Sequence, residues 1–156
     1  MILVVGVSHR TAPLALREAL AFPQERLAEA LARLRAETGL AEAMILSTCN
    51  RVELYGRAPE DVDAGALIDF LCAYHHRAAA DLAPFVYSLA GPEAVRHAFR
   101  VAASLDSMVI GEPQILGQVK EAYHAAEAAG TLGAALGALR SWAWRDSRPW
   151  SSSSSR

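Results

Sequence analysis

Apolar positions fall into two regimes along this chain. Up to about residue 90, short runs rich in Val, Ile and Leu alternate with stripes spaced three and four residues apart; beyond it only the second spacing persists. Residues 2–7 form a β-branched run that stops near Gly6-Val7-Ser8 and read as a buried strand. Pro13 opens a short helical stretch with Leu14, Leu16, Arg17 and Leu20. Pro23 sits at the first turn of a second helix, where its missing N–H costs nothing. Leu27, Leu31 and Leu34 give that helix one apolar stripe, and Gly39 ends it. Met44-Ile45-Leu46 and Val52-Glu53-Leu54-Tyr55 read as two strands joined tightly through Thr48-Cys49-Asn50. A helix over 61–77 carries Leu67, Phe70, Leu71 and Tyr74 on one side, and 85–89 forms a fourth strand.

The order strand, helices, strand, strand, helix, strand predicts an α+β fold over residues 1–90: a ferredoxin-like βαββαβ antiparallel sheet with helices on one face. After Gly91-Pro92 only helices follow, over 93–104 and 114–129, the second stopping at Gly130. They make a small all-helical subdomain, 91–139, expected to complete a pocket. The linker between them, 106–113, mixes apolar and functional side chains, as loops that carry function do. From about Gly137 the periodicity fades. Residues 140–156, with Trp142, Trp144, Trp150 and a serine run at 151–155, read as an atypical tail, expected to be disordered and above all from Trp150 onward.

Composition narrows the setting. The chain has 156 residues, 53% of them hydrophobic and 21% charged, so a packed core is within reach and wholesale disorder is excluded. The formal net charge is -2, less basic than a dedicated RNA-binding domain. Lys120 is the only lysine among the 15 basic residues; a GC-rich genome accounts for most of that bias. No signal peptide opens the chain, and no apolar run approaches the roughly 20 residues of a membrane span. A cytoplasmic, reducing setting is expected, in which Cys49 and Cys72 are free thiols.

The sharpest chemical feature is Leu46-Ser47-Thr48-Cys49-Asn50-Arg51-Val52-Glu53. A cysteine stands at the turn between two strands, with an arginine two residues on. The thiolate is the reactive form, a nearby cation favours it, and a hairpin tip holds a nucleophile firmly. On chemistry alone the bland alternative, a small inert core residue, is the commoner one. Cys72, on the apolar side of its helix beside Phe70 and Leu71, reads as core. His75-His76 is no metal pair, since adjacent helical residues point about 100° apart.

Three separated blocks, in order, carry a family resemblance. Ser47-Thr48-Cys49-Asn50-Arg51 with Glu53 resembles the signature of glutamyl-tRNA reductases. The run 6–13 with Arg17-Glu18 is similar to that family's opening motif, and 104–120 to its longest shared block. The resemblance covers roughly residues 1 to 136. It implies that Cys49 attacks the ester carbonyl joining glutamate to tRNA, leaving a thioester that NADPH reduces to glutamate-1-semialdehyde, the first step of tetrapyrrole synthesis. Covalent catalysis frees the bulky tRNA before the hydride arrives.

By the same resemblance Arg51 clasps the substrate's side-chain carboxylate, its planar fork selecting glutamate over glutamine. Its bland alternative is a pair with Glu53. Thr48 and Asn50 match substrate-contacting positions, and His97 matches a histidine associated with activity, as a base toward Cys49 or a polariser of the ester carbonyl. Ser107, Glu112, Pro113, Gln114 and Gln118 match further pocket positions; Glu112-Pro113-Gln114 alternatively makes a plain helix start. His9 is expected to orient the Cys49 loop through hydrogen bonds.

The family continues into an NADPH-binding domain and a helical dimerisation domain. No Gly-x-Gly-x-x-Gly follows a strand here, and 140–144 departs from the family's spine helix, which suggests truncation with a frame shift after about residue 137. The expected fragment therefore binds the glutamyl end of glutamyl-tRNA but lacks reductase activity. Homodimerisation, and hand-over to glutamate-1-semialdehyde aminomutase, belong to the whole enzyme. Two rivals remain: a non-catalytic RNA- or protein-binding ferredoxin-like module, with Tyr55 and Tyr87 as stacking residues, and a thiol esterase of different substrate.

Overall fold

The computed structural model describes residues 1–103 and 113–146, with the side chains of 113–116 and 141–146 outside that description. Four strands, β1 (Ile2–Ser8), β2 (Glu42–Ser47), β3 (Arg51–Arg57) and β4 (Tyr87–Ala90), form one sheet in the order β2-β3-β1-β4. All three neighbouring pairs are antiparallel. This is the α+β sheet that the element order predicts.

Helices α1 (Leu14–Ala19), α2 (Leu27–Thr38), α3 (Ala64–Tyr74) and the short α4 (Ala79–Leu82) intervene between the strands. Helices α5 (Pro92–Ala102), α6 (Pro113–Ala128) and α7 (Ala134–Asp146) follow. On one sheet face, Leu31 and Leu34 of α2 and Leu67 and Leu71 of α3 are fully buried. Each such side chain contributes about 1.5–3 kcal/mol relative to exposure. The opposite face is covered as well: Met44, Leu46 and Tyr55 meet Phe99 of α5, Tyr123 of α6 and Leu139 of α7. Helices from both sides of residue 90 thus share one hydrophobic core. Helix α6 lies along the edge strand β2 and touches both α2 and α5, shielding an edge that would otherwise offer unpaired backbone.

Several boundaries differ from expectation for local reasons. Gln24–Arg26 forms a 3-10 turn after Pro23, so α2 begins at Leu27. Gly39 ends it at φ 80, as expected. Helix α3 stops at Tyr74, not 77, because His76 takes a left-handed φ of 54 and the Arg77 N–H closes back on Cys72 O at 2.9 Å. Phe85 and Val86 are not strand: their N–H groups bond Leu82 O at the end of α4. The 140–156 tail needs correction too, because α7 runs to Asp146. At its start Glu42, on the sheet edge, accepts from the N–H groups of Gly133 (2.8 Å), Ala135 (3.3 Å) and Leu136 (3.0 Å). Trp150 and the serine run lie outside the described residues.

Burial would raise the Glu42 carboxyl, but the Leu136 N–H, Arg57 at 2.7 Å and the other α7 amides outweigh it and hold it below its ordinary value of 4.5. A depressed carboxyl stabilises the fold fully above the unfolded value and loses that contribution as pH falls through the folded one. Glu42→Gln is therefore expected to cost about 1 kcal/mol at pH 7. It should also flatten the acid slope below 4.5. Urea titrations at pH 7 and pH 3.5 check both; an unchanged slope contradicts the cap.

Strand β1 holds a glycine with a steric purpose. A Cβ on Gly6 would stand 2.4 Å from Val52 O and 2.8 Å from Glu53 Cγ. Gly6→Ala is expected to destabilise by at least about 2 kcal/mol, a fall in Tm of at least about 4 °C. Calorimetry showing an unshifted Tm would refute the close approach.

Candidate active site

The β2–β3 hairpin carries Cys49 at its tip, and hydrogen bonds tie the turn down on both sides of it. Thr48 N–H donates to Arg51 O at 2.8 Å. The Thr48 hydroxyl accepts from Asn50 N–H at 3.1 Å and Arg51 N–H at 3.2 Å, a side-chain closure typical of threonine in turns. The carbonyls point to the first connecting segment. His9 N–H donates to Asn50 O at 2.8 Å, so the main chain of His9 does hold this loop. Arg17 Nη1 donates to Cys49 O at 2.6 Å, while its Nε holds Ala12 O at 3.2 Å. The Cys49 side chain is exposed.

The thiol opens on a cleft of ≈ 380 Å³ lined by Arg17, Glu18, Phe22, Ser47, Thr48 and Gln118 among others. A neighbouring hollow of ≈ 240 Å³ shares Phe22, Ser47 and Gln118 with it and extends to Gln24 and Glu121. Cys72 is buried, and burial with the Asp69 charge pushes its thiol up, as befits a core residue.

Arg51 and His97 meet on the sheet face under α5. Successive outward positions of β3 are Arg51, Glu53 and Tyr55, and all three are buried, Arg51 at 1% and Glu53 at 0% exposure. Arg51 Nη1 meets Glu53 Oε2 at 3.4 Å. The Tyr55 hydroxyl donates to Glu53 Oε1 at 2.8 Å. The Tyr87 hydroxyl donates to Glu53 Oε2, and His97 Nε2 contacts the same oxygen. Burial would raise the Glu53 carboxyl; the hydrogen bond and charge of His97, then Arg51 and Tyr87, outweigh it and keep it below the usual carboxylate range. Burial, then Glu53, holds the Tyr55 hydroxyl well above its ordinary value, so it remains a donor.

Thr48, Cys49 and Gln118 share one cleft, Asn50 belongs to the turn beside them, and Arg51 and His97 share one carboxylate. Among the described residues no hydrogen bond joins Cys49 to Arg51 or His97. Pro113 and Gln114 open α6, their side chains outside the description; Ser107 and Glu112 lie outside the described residues. Sequence reasoning saw Glu53 only as a partner for Arg51 and missed Tyr87 as its donor. The available signal was three polar residues on alternate positions of a strand buried on both faces.

The RNA-module rival needed Tyr55 and Tyr87 free on an open sheet face. Instead Tyr55 is 2% exposed, and both hydroxyls are spent on Glu53. Among the described residues no cluster of three or more His, Cys, Asp or Glu could hold a metal ion, and no helix is long and apolar enough to cross a membrane.

Fold and site together define an α+β domain that presents an exposed cysteine at a hairpin tip beside a buried Arg–Glu–His cluster. The family profile described as "Glutamyl-tRNAGlu reductase, N-terminal domain" matches residues 5–148, and the chain belongs to that family. The match runs past residue 136, where the motifs alone leave off. The chain is 52% identical over 135 residues to a glutamyl-tRNA reductase of Thiobacillus denitrificans, covering 86% of this chain and 32% of that protein. It is 52% identical over 132 residues to one of Solibacter usitatus, covering 84% and 31%. The solved glutamyl-tRNA reductase from Methanopyrus kandleri superposes with a TM-score of 0.77 at 35% identity, over 92% of this chain and 32% of that one. The chain thus spans about a third of the length of these relatives.

Proposed function

We propose that this chain is the glutamyl-transfer domain of a glutamyl-tRNA reductase, with Cys49 as the nucleophile. The thiolate sulfur bonds to the ester carbonyl carbon of glutamyl-tRNA, the C–O bond to the tRNA ribose breaks, and the ribose oxygen leaves with a proton. A thioester remains on Cys49. The observation that carries this reading is the exposed thiol on an anchored turn, opening on a cleft of ≈ 380 Å³. Thr48, Asn50 and Gln118 border the incoming aminoacyl end, and the family resemblance assigns further substrate contacts to Ser107, Glu112, Pro113 and Gln114 of the shared block. Arg51 takes the substrate carboxylate, and His97 moves the proton. A cytosolic setting keeps the thiol reduced.

The reductant implied by the family, NADPH, does not fit the described residues. A dinucleotide pyrophosphate sits at a glycine-rich strand-to-helix turn beside parallel strands, whereas every strand pair here is antiparallel. The hydride step to glutamate-1-semialdehyde is accordingly assigned to no residue of this chain. The same reading makes glutamyl-tRNA the partner and, for the whole enzyme, includes a homodimer and hand-over to the aminomutase.

The test is direct. Incubation with glutamyl-tRNA carrying labelled glutamate should leave label on a Cys49 peptide, released by neutral hydroxylamine as a thioester is. Label on no peptide, or on another residue, overturns the reading.

A further inference from the structure

We infer that Glu53 is the positioning residue of the glutamyl pocket, its buried carboxylate binding the Arg51 guanidinium and the His97 imidazole into one unit. This rests on the reading above, in which Arg51 receives the substrate carboxylate.

The arrangement is built at visible cost. A carboxylate with no exposure sits on a strand whose other face is apolar, Val52 and Leu54 both being fully buried. Four donors from three elements converge on its two oxygens: Tyr55 on Oε1, and Arg51, Tyr87 and His97 on Oε2. Tyr87 reaches it across an intervening strand. In the sheet register Glu53 lies opposite Gly6, and Gly6 opposite Tyr87. The missing side chain at Gly6 is what lets the two meet above β1, since a Cβ there would strike Glu53 Cγ at 2.8 Å. A leucine at 53 would fill this row without glycine, tyrosine or arginine. Rules of local packing are broken in this way where function is served.

The cluster also sets proton placement. An ionised carboxylate only accepts, so the His97 Nε2 in contact with it carries the hydrogen. Whenever the ring is neutral its lone pair is then on Nδ1, the nitrogen left to act on substrate. Carboxylates that fix a neighbouring imidazole's tautomer do this wherever a histidine moves a proton. Toward Arg51 the bond is different in kind. Only one guanidinium nitrogen meets Glu53, at 3.4 Å, so the carboxylate orients the fork without closing on it bidentately. Without Glu53 the guanidinium loses its angle as well as a counter-charge.

The experiment compares single-turnover acylation of Cys49 by glutamyl-tRNA and by glutaminyl-tRNA, in wild type and in Glu53→Gln. That substitution keeps the shape and removes the charge. The expected result is a 10- to 100-fold slower reaction with glutamyl-tRNA, in the range seen when a supporting partner of a functional ligand is removed. The glutaminyl reaction should fall less, so that selectivity narrows. Imidazole nitrogen NMR should also show Nε2–H in wild type and a mixture of tautomers in the variant. Equal proportional loss for both substrates, or full retention of rate and selectivity, overturns the inference. A wild type that fails to acylate overturns the underlying reading instead. Should Glu53→Gln not fold, Tyr87→Phe replaces it: a loss in the same direction supports the role, and unchanged selectivity overturns it.

Discussion

Cys49→Ser is expected to slow glutamyl transfer from tRNA by at least about 10³-fold while leaving the fold intact. A hydroxyl is a far weaker nucleophile than a thiolate near neutral pH. The structural half of the prediction follows from which atoms of residue 49 are held. Its main-chain oxygen bonds Arg17, the turn is closed by Thr48, and the side chain itself is exposed. Stability should therefore stay within about 0.5 kcal/mol of wild type. Quench-flow acylation with thermal unfolding on the same sample measures both. A variant retaining more than about a tenth of the rate would remove Cys49 from the chemistry.

Arg51→Met should have the largest effect on stability, a loss of about 3–5 kcal/mol at neutral pH. That corresponds to a fall in Tm of roughly 6–20 °C for a chain of this size. The substitution leaves Glu53 ionised and fully buried without one of its positive partners. The pH dependence identifies the cause. Folded Glu53 is held below 4.5, so its contribution is complete above that value and lost as pH falls through the lower folded value. Removing the Arg51 charge raises the folded value, so the deficit should be greatest at pH 7 and shrink toward pH 3.5, where the carboxyl protonates. Adding Glu53→Gln to Arg51→Met should restore part of the loss at pH 7. Urea titrations of the single and double variants decide it. A deficit under about 1 kcal/mol, or one equal at both pH values, would mean that the ion pair is not what holds this face.

Legibility differed from element to element. The sheet could be read because β-branched runs and tight turns are local signals, and the four strands fall in the expected order. Helix α2 could be read at its end, where Gly39 adopts the left-handed geometry that glycine tolerates. Helix α3 could not, because His76 does the same work without advertising it. The strand expected at 85–89 began late because Phe85 and Val86 are apolar for packing and spend their N–H groups on Leu82. In the candidate site, Cys49 stood out through turn chemistry and motif. Glu53, Tyr55 and Tyr87 did not, since each alone is an ordinary strand residue and their shared meaning lies in the register across Gly6.

What the sequence by itself determined is therefore the hairpin, the thiol at its tip, the order of the elements and the family, all encoded by neighbours within a few residues of each other. Tertiary structure decided which face of β3 each polar residue occupies, that Arg51 and His97 meet on one carboxylate, that Cys49 opens on a cleft shared with Gln118, and that α7 begins where Glu42 caps it from 91 to 94 residues upstream. The reason is physical. A buried charge or a bare helix end accepts any partner that satisfies it, and which partner arrives is settled only when distant strands and helices have packed.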